Sequence, residues 1–319
     1  MRALVTGIAG FIGSHLAERL LTDGHTVRGI DCLTPYYDVG EKRANLEELA
    51  RLDHCEIVVD DLGTCEIDAL LDGIDVIFHQ AGQPGVRASW RDGFGSYVQH
   101  NILATQRLLE AAKGADLERF VFASSSSVYG DAPRYPTRET DLPAPQSPYG
   151  VTKLAAEHLC GVYARNWDVP TVSLRYFTVY GPRQRPDMAM RRLVDAALAG
   201  RRFPMYGDGS QVRDFTFVAD VVEGNLLAAS KPVPPGTVIN VAGGSSVTLR
   251  EVIDIVGELC GSPVNLDRRP AQPGDVRRTG GSTEVASSLL GWGPTVDVRD
   301  GLARQIEWQT GPGMERAAV

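Results

Sequence analysis

Residues 1–31 read MRALVTGIAGFIGSHLAERLLTDGHTVRGID, and this stretch decides the fold. Its apolar pattern predicts a buried strand at Arg2–Thr6, a helix at Phe11–Thr22 and a second strand over residues 26–30. A glycine-rich turn separates the first strand from the helix. A strand, a turn, a helix and a second strand in this order form the first unit of a doubly wound parallel sheet.

The turn contains Gly7, Gly10 and Gly13 with the spacing G-x-x-G-x-x-G. A turn without Cβ atoms lets the backbone approach a diphosphate, and the following helix directs unpaired N–H groups toward it. Asp31 closes the second strand, where a carboxylate accepts both ribose hydroxyls and favours NAD over a 2′-phosphorylated cofactor. Because strand, helix and acid accompany the glycines, we interpret them as a dinucleotide turn and not as packing residues alone.

The composition excludes several classes of protein. The 319 residues carry a net charge of −8, so the chain builds no basic field for nucleic acid. No apolar run in the sequence reaches the roughly 18 residues that a membrane span needs. The five cysteines and six histidines are scattered, without disulfide or metal-ligand spacing. We therefore expect a reduced, cytoplasmic protein without a metal site or a membrane partner.

Strands and helices alternate through the first half of the chain, which is typical of a Rossmann-type, doubly wound parallel sheet. Beyond the first unit, the pattern predicts strands over 56–59, 75–79, 119–124 and 171–175 and helices over 41–52, Ile67–Leu71, 95–113 and Pro148–Trp167. After about Tyr176, glycine, proline and arginine become more frequent. We therefore divide the chain into a dinucleotide-binding domain, residues 1–175, and a smaller α/β substrate lobe, residues 176–319, some of whose segments return to the first domain.

The chemistry is predicted at Tyr149 and Lys153, which follow a serine run at residues 124–127 and lie one helical turn apart. A phenol with an ordinary pKa of about 10 is a poor base near neutral pH. A nearby ammonium and a positive nicotinamide ring favour the phenolate and lower that pKa. A serine hydroxyl across the cleft aligns an alcohol, so this set can remove its proton while hydride leaves its carbon.

These features resemble the extended short-chain dehydrogenases/reductases that act on nucleotide sugars. The resemblance extends from Arg2 to about Trp308 and is carried by the glycine turn, Asp31, the serine run, Y-x-x-x-K and RYFTVYGP. Within that family the chain is most similar to the UDP-glucuronate 4-epimerases, through AGQPGVRASW (81–90), RYFTVYGPRQRPDMAM (175–190), YGDGSQVRDFTFVADVVEG (206–224) and QPGDVRRT (272–279). It implies an NAD-dependent enzyme that acts on a UDP-sugar.

The resemblance assigns three catalytic roles. Tyr149 is the base, Lys153 holds the nicotinamide ribose and tunes Tyr149, and Ser125 aligns the reacting hydroxyl. Together with the ends of the predicted strands, it places cofactor contacts at Gly7, Gly10, Phe11, Ile12, Gly13, Asp31, Asp61, Leu62, Gln80, Ala81, Asn101, Tyr149, Lys153 and Tyr176. It places UDP-sugar contacts at Arg87, Ser126, Ser127, Thr178, Arg185, Met190, Arg192, Tyr206, Arg213, Gln272 and Asp275.

Individual positions distinguish the reactions of this family. Ser126 and Ser127 stand where dehydratases carry Asp-Glu and decarboxylases a Glu, so the acid needed for water elimination is missing. Thr178 stands where hexose 4-epimerases usually carry Asn, and in glucuronate epimerases that Thr, with a Ser and an Arg, is associated with the sugar carboxylate. Arg185 is our first choice for this arginine and Arg192 the second.

Several alternatives remain open. The second hypothesis is an NDP-hexose 4-epimerase for neutral sugars, and the third is a UDP-glucuronate decarboxylase. A non-catalytic NAD-binding regulator is a hypothesis of another class, and it predicts loss of Tyr149 or Lys153. The family usually forms homodimers through two helices per subunit, here the helices predicted over 95–113 and Pro148–Trp167. Their apolar residues Ile102, Leu109, Ala112, Leu159 and Val162 are candidates for that interface or for packing against the sheet.

Overall fold

The structure is a computed structural model that describes residues 1–270 and 276–311. Its first part alternates strands and helices as the sequence predicts. In chain order the elements are β1 (Arg2–Thr6), α1 (Phe11–Thr22), β2 (Thr26–Asp31), α2 (Val39–Leu49), β3 (Cys55–Val59), α3 (Ile67–Leu71), β4 (Val76–His79), α4 (Phe94–Tyr97), α5 (Ala104–Ala112), β5 (Arg119–Ser125), α6 (Pro148–Trp167) and β6 (Thr171–Tyr176). β1, α1, α3 and α6 have the predicted bounds, and the other elements start or end within three residues of the prediction.

Shorter strands and five further helices follow β6. They are β7 (Val179–Tyr180), α7 (Ala189–Leu198), β8 (Phe203–Tyr206), β9 (Val212–Arg213), β10 (Thr216–Phe217), α8 (Val218–Ser230), β11 (Thr237–Val241), β12 (Val247–Thr248), α9 (Leu249–Leu259), β13 (Leu266–Arg269), α10 (Glu284–Leu290) and α11 (Val298–Thr310). Three pairs of short strands, β10 with β7, β12 with β9 and β13 with β8, lie outside the central sheet.

The central sheet has seven parallel strands in the order β11-β6-β5-β4-β1-β2-β3. This is the predicted doubly wound, Rossmann-type fold, which the structure confirms. The strand order reverses between β1 and β4. Open α/β sheets bind ligands at such a reversal, in the crevice outside the carboxyl ends of the strands. β11 comes from beyond residue 175 and forms one edge of the sheet next to β6.

Side chains of the central strands alternate between two cores on opposite faces of the sheet. On β5, Val121 and Ala123 belong to one core, whereas Phe120 and Phe122 belong to the other. Helices α1 and α8 pack against the first core, and α3, α5 and α6 against the second. Because both faces are covered, the strands read as almost continuous apolar runs.

The helix predicted over 95–113 is interrupted. A π-helical turn at Val98–Leu103 separates α4 from α5. Such turns occur as short insertions in α-helices, frequently at functional sites. The apolar periodicity of the segment did not reveal it, because the insertion changes the helical phase without a distinctive residue type.

Helix α6 begins with local signals that the sequence contains. The Ser147 hydroxyl accepts a hydrogen bond from the Gly150 backbone N–H, and Pro148 occupies the first turn. The helix ends where Asp168 adopts a left-handed conformation with φ of 55°. Although α6 has 20 residues, neither it nor another helix in residues 1–270 and 276–311 combines the length and apolar composition that crossing a membrane requires.

The glycine turn between β1 and α1 depends on missing Cβ atoms. Gly7 has a φ of +69°, which side chains disfavour. A Cβ on Gly13 would lie 2.2 Å from the Gly7 carbonyl oxygen. Since that atom belongs to the backbone, a side chain at Gly13 would push α1 away from the turn.

We expect Gly13→Ala to lower the free energy of unfolding by about 2 kcal/mol, because overpacked sites cost roughly 1–3 kcal/mol. Gly95→Ala is the matched control, since a Cβ at Gly95 meets no atom within 4 Å and alanine favours a helix. Urea denaturation of both variants measures the difference. Equal unfolding midpoints would contradict this account of the turn.

Candidate active site

A cavity lies at the carboxyl ends of β1, β2, β4 and β5, on the side where the strand order reverses. All the predicted cofactor residues except Asn101 line it. The glycine turn is part of its wall, and at Gly82 a Cβ would lie 2.9 Å from Asn101 Oδ1 and 3.3 Å from Lys153 Nζ. The narrow backbone wall and the acid at the end of β2 fit a dinucleotide.

The Asp31 carboxylate is oriented by backbone groups. Its Oδ2 accepts a hydrogen bond of 3.2 Å from the Ala9 N–H, and its Oδ1 accepts one of 2.8 Å from the Leu33 N–H. Lys42 Nζ lies 4.0 Å from Oδ1 and donates to the Thr34 carbonyl oxygen. The glycine turn thus positions the acid that the sequence assigned to the cofactor ribose.

The structure corrects the prediction for Asn101. This side chain is 1% exposed and does not line the cavity. Its Oδ1 accepts from the Gln83 N–H at 2.6 Å, and its Nδ2 donates to the Gln83 carbonyl oxygen and to Thr152 Oγ1. Because buried backbone groups need hydrogen-bond partners, Asn101 satisfies the loop after β4 and ties it to α6, instead of facing a ligand.

The three predicted catalytic side chains come together where α6 meets the end of β5. The Ser125 side chain acts on the Tyr149 phenol, and the Tyr149 ring contacts the edge of Tyr97 at a centroid distance of 6.2 Å. Lys153 Nζ donates to the Ala123 carbonyl oxygen at 2.8 Å. Both Tyr149 and Lys153 line the cavity, as their spacing on one face of a helix predicts.

The electrostatics of this group differ from the expectation. Burial raises the pKa of the Tyr149 phenol, and the hydrogen bond from Ser125 and the charge of Arg185 act in the opposite direction. Burial also lowers the pKa of Lys153 to about 8. The prediction that a nearby ammonium lowers the pKa of Tyr149 therefore fails for the protein alone, since desolvation outweighs the neighbouring groups.

Two arginines close to Arg185 and Arg192 in the sequence, Arg183 and Arg191, form ion pairs within the protein. Arg183 lies 2.7 Å from Glu18 and 2.9 Å from Glu48. Arg191 is 2% exposed and lies 2.7 Å from Glu41. These arginines join α1, α2 and α7 and are structural.

Arg185 and Arg192, the two choices for a carboxylate contact, lie in different surroundings. Arg185 lines the cavity near Tyr149, and its charge acts on that phenol. Its guanidinium also donates to both carboxylate oxygens of Asp187 at 3.0 and 3.1 Å. Arg192 is exposed on α7 and does not line the cavity. The geometry therefore favours Arg185.

Other predicted substrate contacts surround the cavity without lining it. Ser126 and Ser127 form a short helical turn after β5, in which the Ser127 N–H donates to Ser125 Oγ. The Arg87 guanidinium stacks 4.6 Å from the centroid of the Tyr206 ring. These positions lie on the loops after β4 and β5 and at the end of β8.

The remaining residues predicted to contact the substrate lie in different parts of the structure or outside the described residues. Thr178 precedes β7, and Arg213 ends β9. Met190 is 2% exposed and belongs to the main core, so its side chain packs against protein atoms, contrary to the prediction of a substrate contact. Gln272 and Asp275 lie outside the described residues.

Sequence reasoning missed several cavity residues on the loop after β2 and in the first turn of α2. Tyr36, Tyr37 and Lys42 line the cavity. Two signals in the sequence could have indicated them. Lys42 is one of only four lysines in the chain, and residues that follow a strand of an open α/β sheet lie near the ligand crevice.

The structure also brings together three side chains that can bind a metal and that lie far apart in the sequence. Ligand atoms of Cys32, Asp61 and His100 lie within 4.8 Å of one another and line the same cavity. Metal-ligand spacing was absent from the sequence because these residues come from three separate segments: the ends of β2 and β3 and the π-helical turn.

Comparisons with known proteins agree with this geometry. Residues 3–242 match the NAD dependent epimerase/dehydratase family. The structure of UDP-glucuronic acid 4-epimerase from Bacillus cereus, in complex with UDP-glucuronic acid and NAD, is 41% identical with a TM-score of 0.93, and the match covers 97% of this chain and 98% of that one.

Curated relatives have more than one substrate in their names. A probable UDP-glucuronate 4-epimerase of Rhizobium meliloti is 38% identical, with 97% of this chain and 96% of the relative covered. The uncharacterized UDP-glucose epimerase YtcB of Bacillus subtilis is 42% identical, with 97% of this chain and 98% of the relative covered. The resemblance predicted from the sequence motifs is confirmed: this chain belongs to the NAD dependent epimerase/dehydratase family, and the cofactor of its glycine-lined cavity is NAD.

Proposed function

We propose that this protein is a UDP-glucuronate 4-epimerase, which interconverts UDP-glucuronate and UDP-galacturonate. The observation that carries the proposal is the Arg185 guanidinium in the cavity near Tyr149. A carboxylate pairs bidentately with arginine, so a partly buried arginine that acts on the base favours a sugar that carries an acid close to the reacting carbon. The relatives named as epimerases of UDP-glucuronate support the same substrate.

In the proposed mechanism, Tyr149 takes the proton of the sugar 4-hydroxyl, and Ser125 aligns that hydroxyl. Lys153 holds the nicotinamide ribose and contributes a positive charge beside the phenolate. NAD, which the glycine turn, Asp31 and Lys153 would hold, would supply the acceptor and later the donor of the C4 hydride. Between the two transfers the 4-keto sugar turns about its diphosphate link, so Tyr149 returns the proton while hydride arrives on the other face. The configuration at C4 is thereby inverted.

The intermediate of this mechanism is a β-keto acid, because the C6 carboxylate lies two carbons from the C4 ketone. Such acids lose CO₂ when the carboxylate C–C bond aligns with the carbonyl π-system. We propose that Arg185, with Thr178 and Ser127, holds the carboxylate out of that alignment, which is an effect of orientation.

The second candidate is an NDP-hexose 4-epimerase for neutral sugars, which the name of the Bacillus subtilis relative favours. The serine at position 127 disfavours a decarboxylase, and the presence of Tyr149 and Lys153 disfavours a non-catalytic regulator. Purified protein incubated with UDP-glucuronate, UDP-glucose or UDP-N-acetylglucosamine, without added cofactor, distinguishes these candidates by the 4-epimer formed. Turnover of UDP-glucose alone would contradict our proposal and favour the second candidate.

We also propose a cytoplasmic homodimer formed by α4, α5 and α6. Val98, in the π-helical turn between α4 and α5, and Val162 on α6 are 37% and 41% exposed. Leu109 and Ala112 belong to a core of their own chain. Of the two roles considered for them, the dimer interface and packing against the sheet, they have the second. Ile102 and Leu159 are partly buried. The five cysteines are free thiols, which supports a reducing compartment.

Tyr149→Phe removes the proposed base and keeps the ring. We expect kcat for UDP-glucuronate epimerisation to fall by about 10²–10⁴-fold, the usual range for loss of general acid–base catalysis, with bound NAD retained. Tyr163→Phe is the matched control on the same helix, because its hydroxyl bonds Glu110 away from the cavity. Activity at the wild-type level in Tyr149→Phe would exclude the mechanism.

Arg185→Gln removes the proposed carboxylate contact. We expect KM for UDP-glucuronate to rise about 10–100-fold, because a hydrogen bond to a charged group is worth about 1.5–3 kcal/mol, and we expect UDP-pentose to form by loss of CO₂. Arg192→Gln is the control, since Arg192 is exposed on α7. Chromatography of the nucleotide sugars measures both products. Unchanged epimerisation in both variants would defeat the carboxylate assignment.

Val162→Glu places a charge in the proposed helix interface, where desolvating it is unfavourable. We expect light scattering to give half the wild-type mass. Leu142→Glu is the control, since Leu142 is 87% exposed between β5 and α6. A dimeric Val162→Glu protein, or a monomeric wild type, would contradict this interface.

A further inference from the structure

Helix α6 carries a third polar residue on the face that presents Tyr149 and Lys153. Glu157 follows Lys153 by four residues, so the three side chains form one stripe along the helix. Glu157 is only 4% exposed. It lies two helical turns from Tyr149 and does not line the cavity, so the proposed proton and hydride transfers do not use it.

The stripe contacts residues 123–125, the last three of β5. Lys153 Nζ donates to the carbonyl oxygen of Ala123, the first of these residues, at 2.8 Å. The hydroxyl of Ser124, the second, donates to Glu157 Oε2 at 2.6 Å. Ser125, the third residue, acts on the Tyr149 phenol. One helix face is therefore joined to one strand end by two successive hydrogen bonds, and Tyr149 lies one turn further along the same face.

Arg175 anchors the second of these contacts. Its Nε and Nη2 donate to the two carboxylate oxygens of Glu157 at 3.0 and 2.6 Å, and the side chains of Arg175 and Glu157 are 4% and 3% exposed. Arg175 lies on β6 beside Ser124 in the sheet register. Its Nη1 donates to Tyr129 Oη, which in turn donates to Asn240 Oδ1 on β11. The network thus connects α6 with three neighbouring strands of the sheet.

The buried ion pair between Arg175 and Glu157 is better explained by the orientation it gives α6 than by a gain in stability. Two charges lose their hydration when buried, and an apolar pair of similar volume is often equally stabilising. The bidentate contact adds direction, because it fixes both the position and the rotation of α6 relative to β5. Misplacement of a reacting group by about 1 Å can slow catalysis about 10²-fold, so the orientation of α6 matters at Tyr149.

We propose that Glu157, held by Arg175 and Ser124, is a positioning residue for Tyr149. It sets the separation between Tyr149 and Ser125 and with it the geometry of proton transfer. This inference rests on the proposed epimerase function, in which these two hydroxyls meet the sugar 4-hydroxyl.

Two variants test the role. Glu157→Gln still accepts from Ser124 but leaves the charge of Arg175 unpaired, which can prevent folding. The double variant Glu157→Met with Arg175→Met removes both charges and retains the volume. Glu18→Gln on α1 is the control, because it breaks an ion pair with Arg183, which lies between β7 and α7.

We expect the double variant to fold, to retain NAD and to keep KM for UDP-glucuronate within about threefold of the wild type, while kcat falls about 10²-fold. The solvent isotope effect on kcat rises, because proton transfer becomes limiting; a role in stability alone would leave it unchanged. Glu18→Gln keeps the wild-type kcat. A double variant with wild-type kcat and isotope effect would overturn the positioning role.

A structural readout separates this inference from the proposed function. Crystal structures of the wild type and the double variant are compared for the distance between Tyr149 Oη and Ser125 Oγ, which we expect to change by about 1 Å. An unchanged distance overturns the inference whatever the substrate is. A wild-type protein that fails to epimerise UDP-glucuronate overturns the proposed function, while a changed distance in the same protein still supports the positioning role.

Discussion

The contact between α6 and the end of β5 is the constraint on which the site depends. Strand β5 lies inside the parallel sheet and ends at the crevice, so its last residues have little freedom. Lys153 attaches the helix to this strand end through the Ala123 carbonyl oxygen. Every group assigned to chemistry, Tyr149, Lys153 and Ser125, belongs to one of these two elements. The packing of α6 on β5 therefore determines the geometry of the site.

Burial has two opposite effects at this junction. It raises the pKa of Tyr149 and lowers the pKa of Lys153, so it works against the ionised form of both. The same exclusion of water strengthens the interaction of Tyr149 with any positive charge that enters the cavity. Arg185 supplies one such charge, because it acts on the Tyr149 phenol against the effect of burial.

Local patterns predicted much of the fold and part of the site. The bounds of α1 and α6 followed from apolar periodicity and from capping by Ser147 and Pro148, which act within a few residues. The π-helical turn at Val98–Leu103 and the burial of Asn101 were not predictable in this way. An inserted residue leaves the composition of a helix unchanged, and the partners of Asn101 lie on other elements.

The sequence by itself determined the order of strands and helices, the glycine turn and the placement of Tyr149 and Lys153 on one helix face, because backbone geometry relates residues a few positions apart. Tertiary structure alone decided that Arg183 and Arg191 form ion pairs, that Arg185 and not Arg192 enters the cavity, and that Glu157 meets Arg175. These outcomes depend on burial and on distances between elements far apart in the chain, which no local spacing encodes.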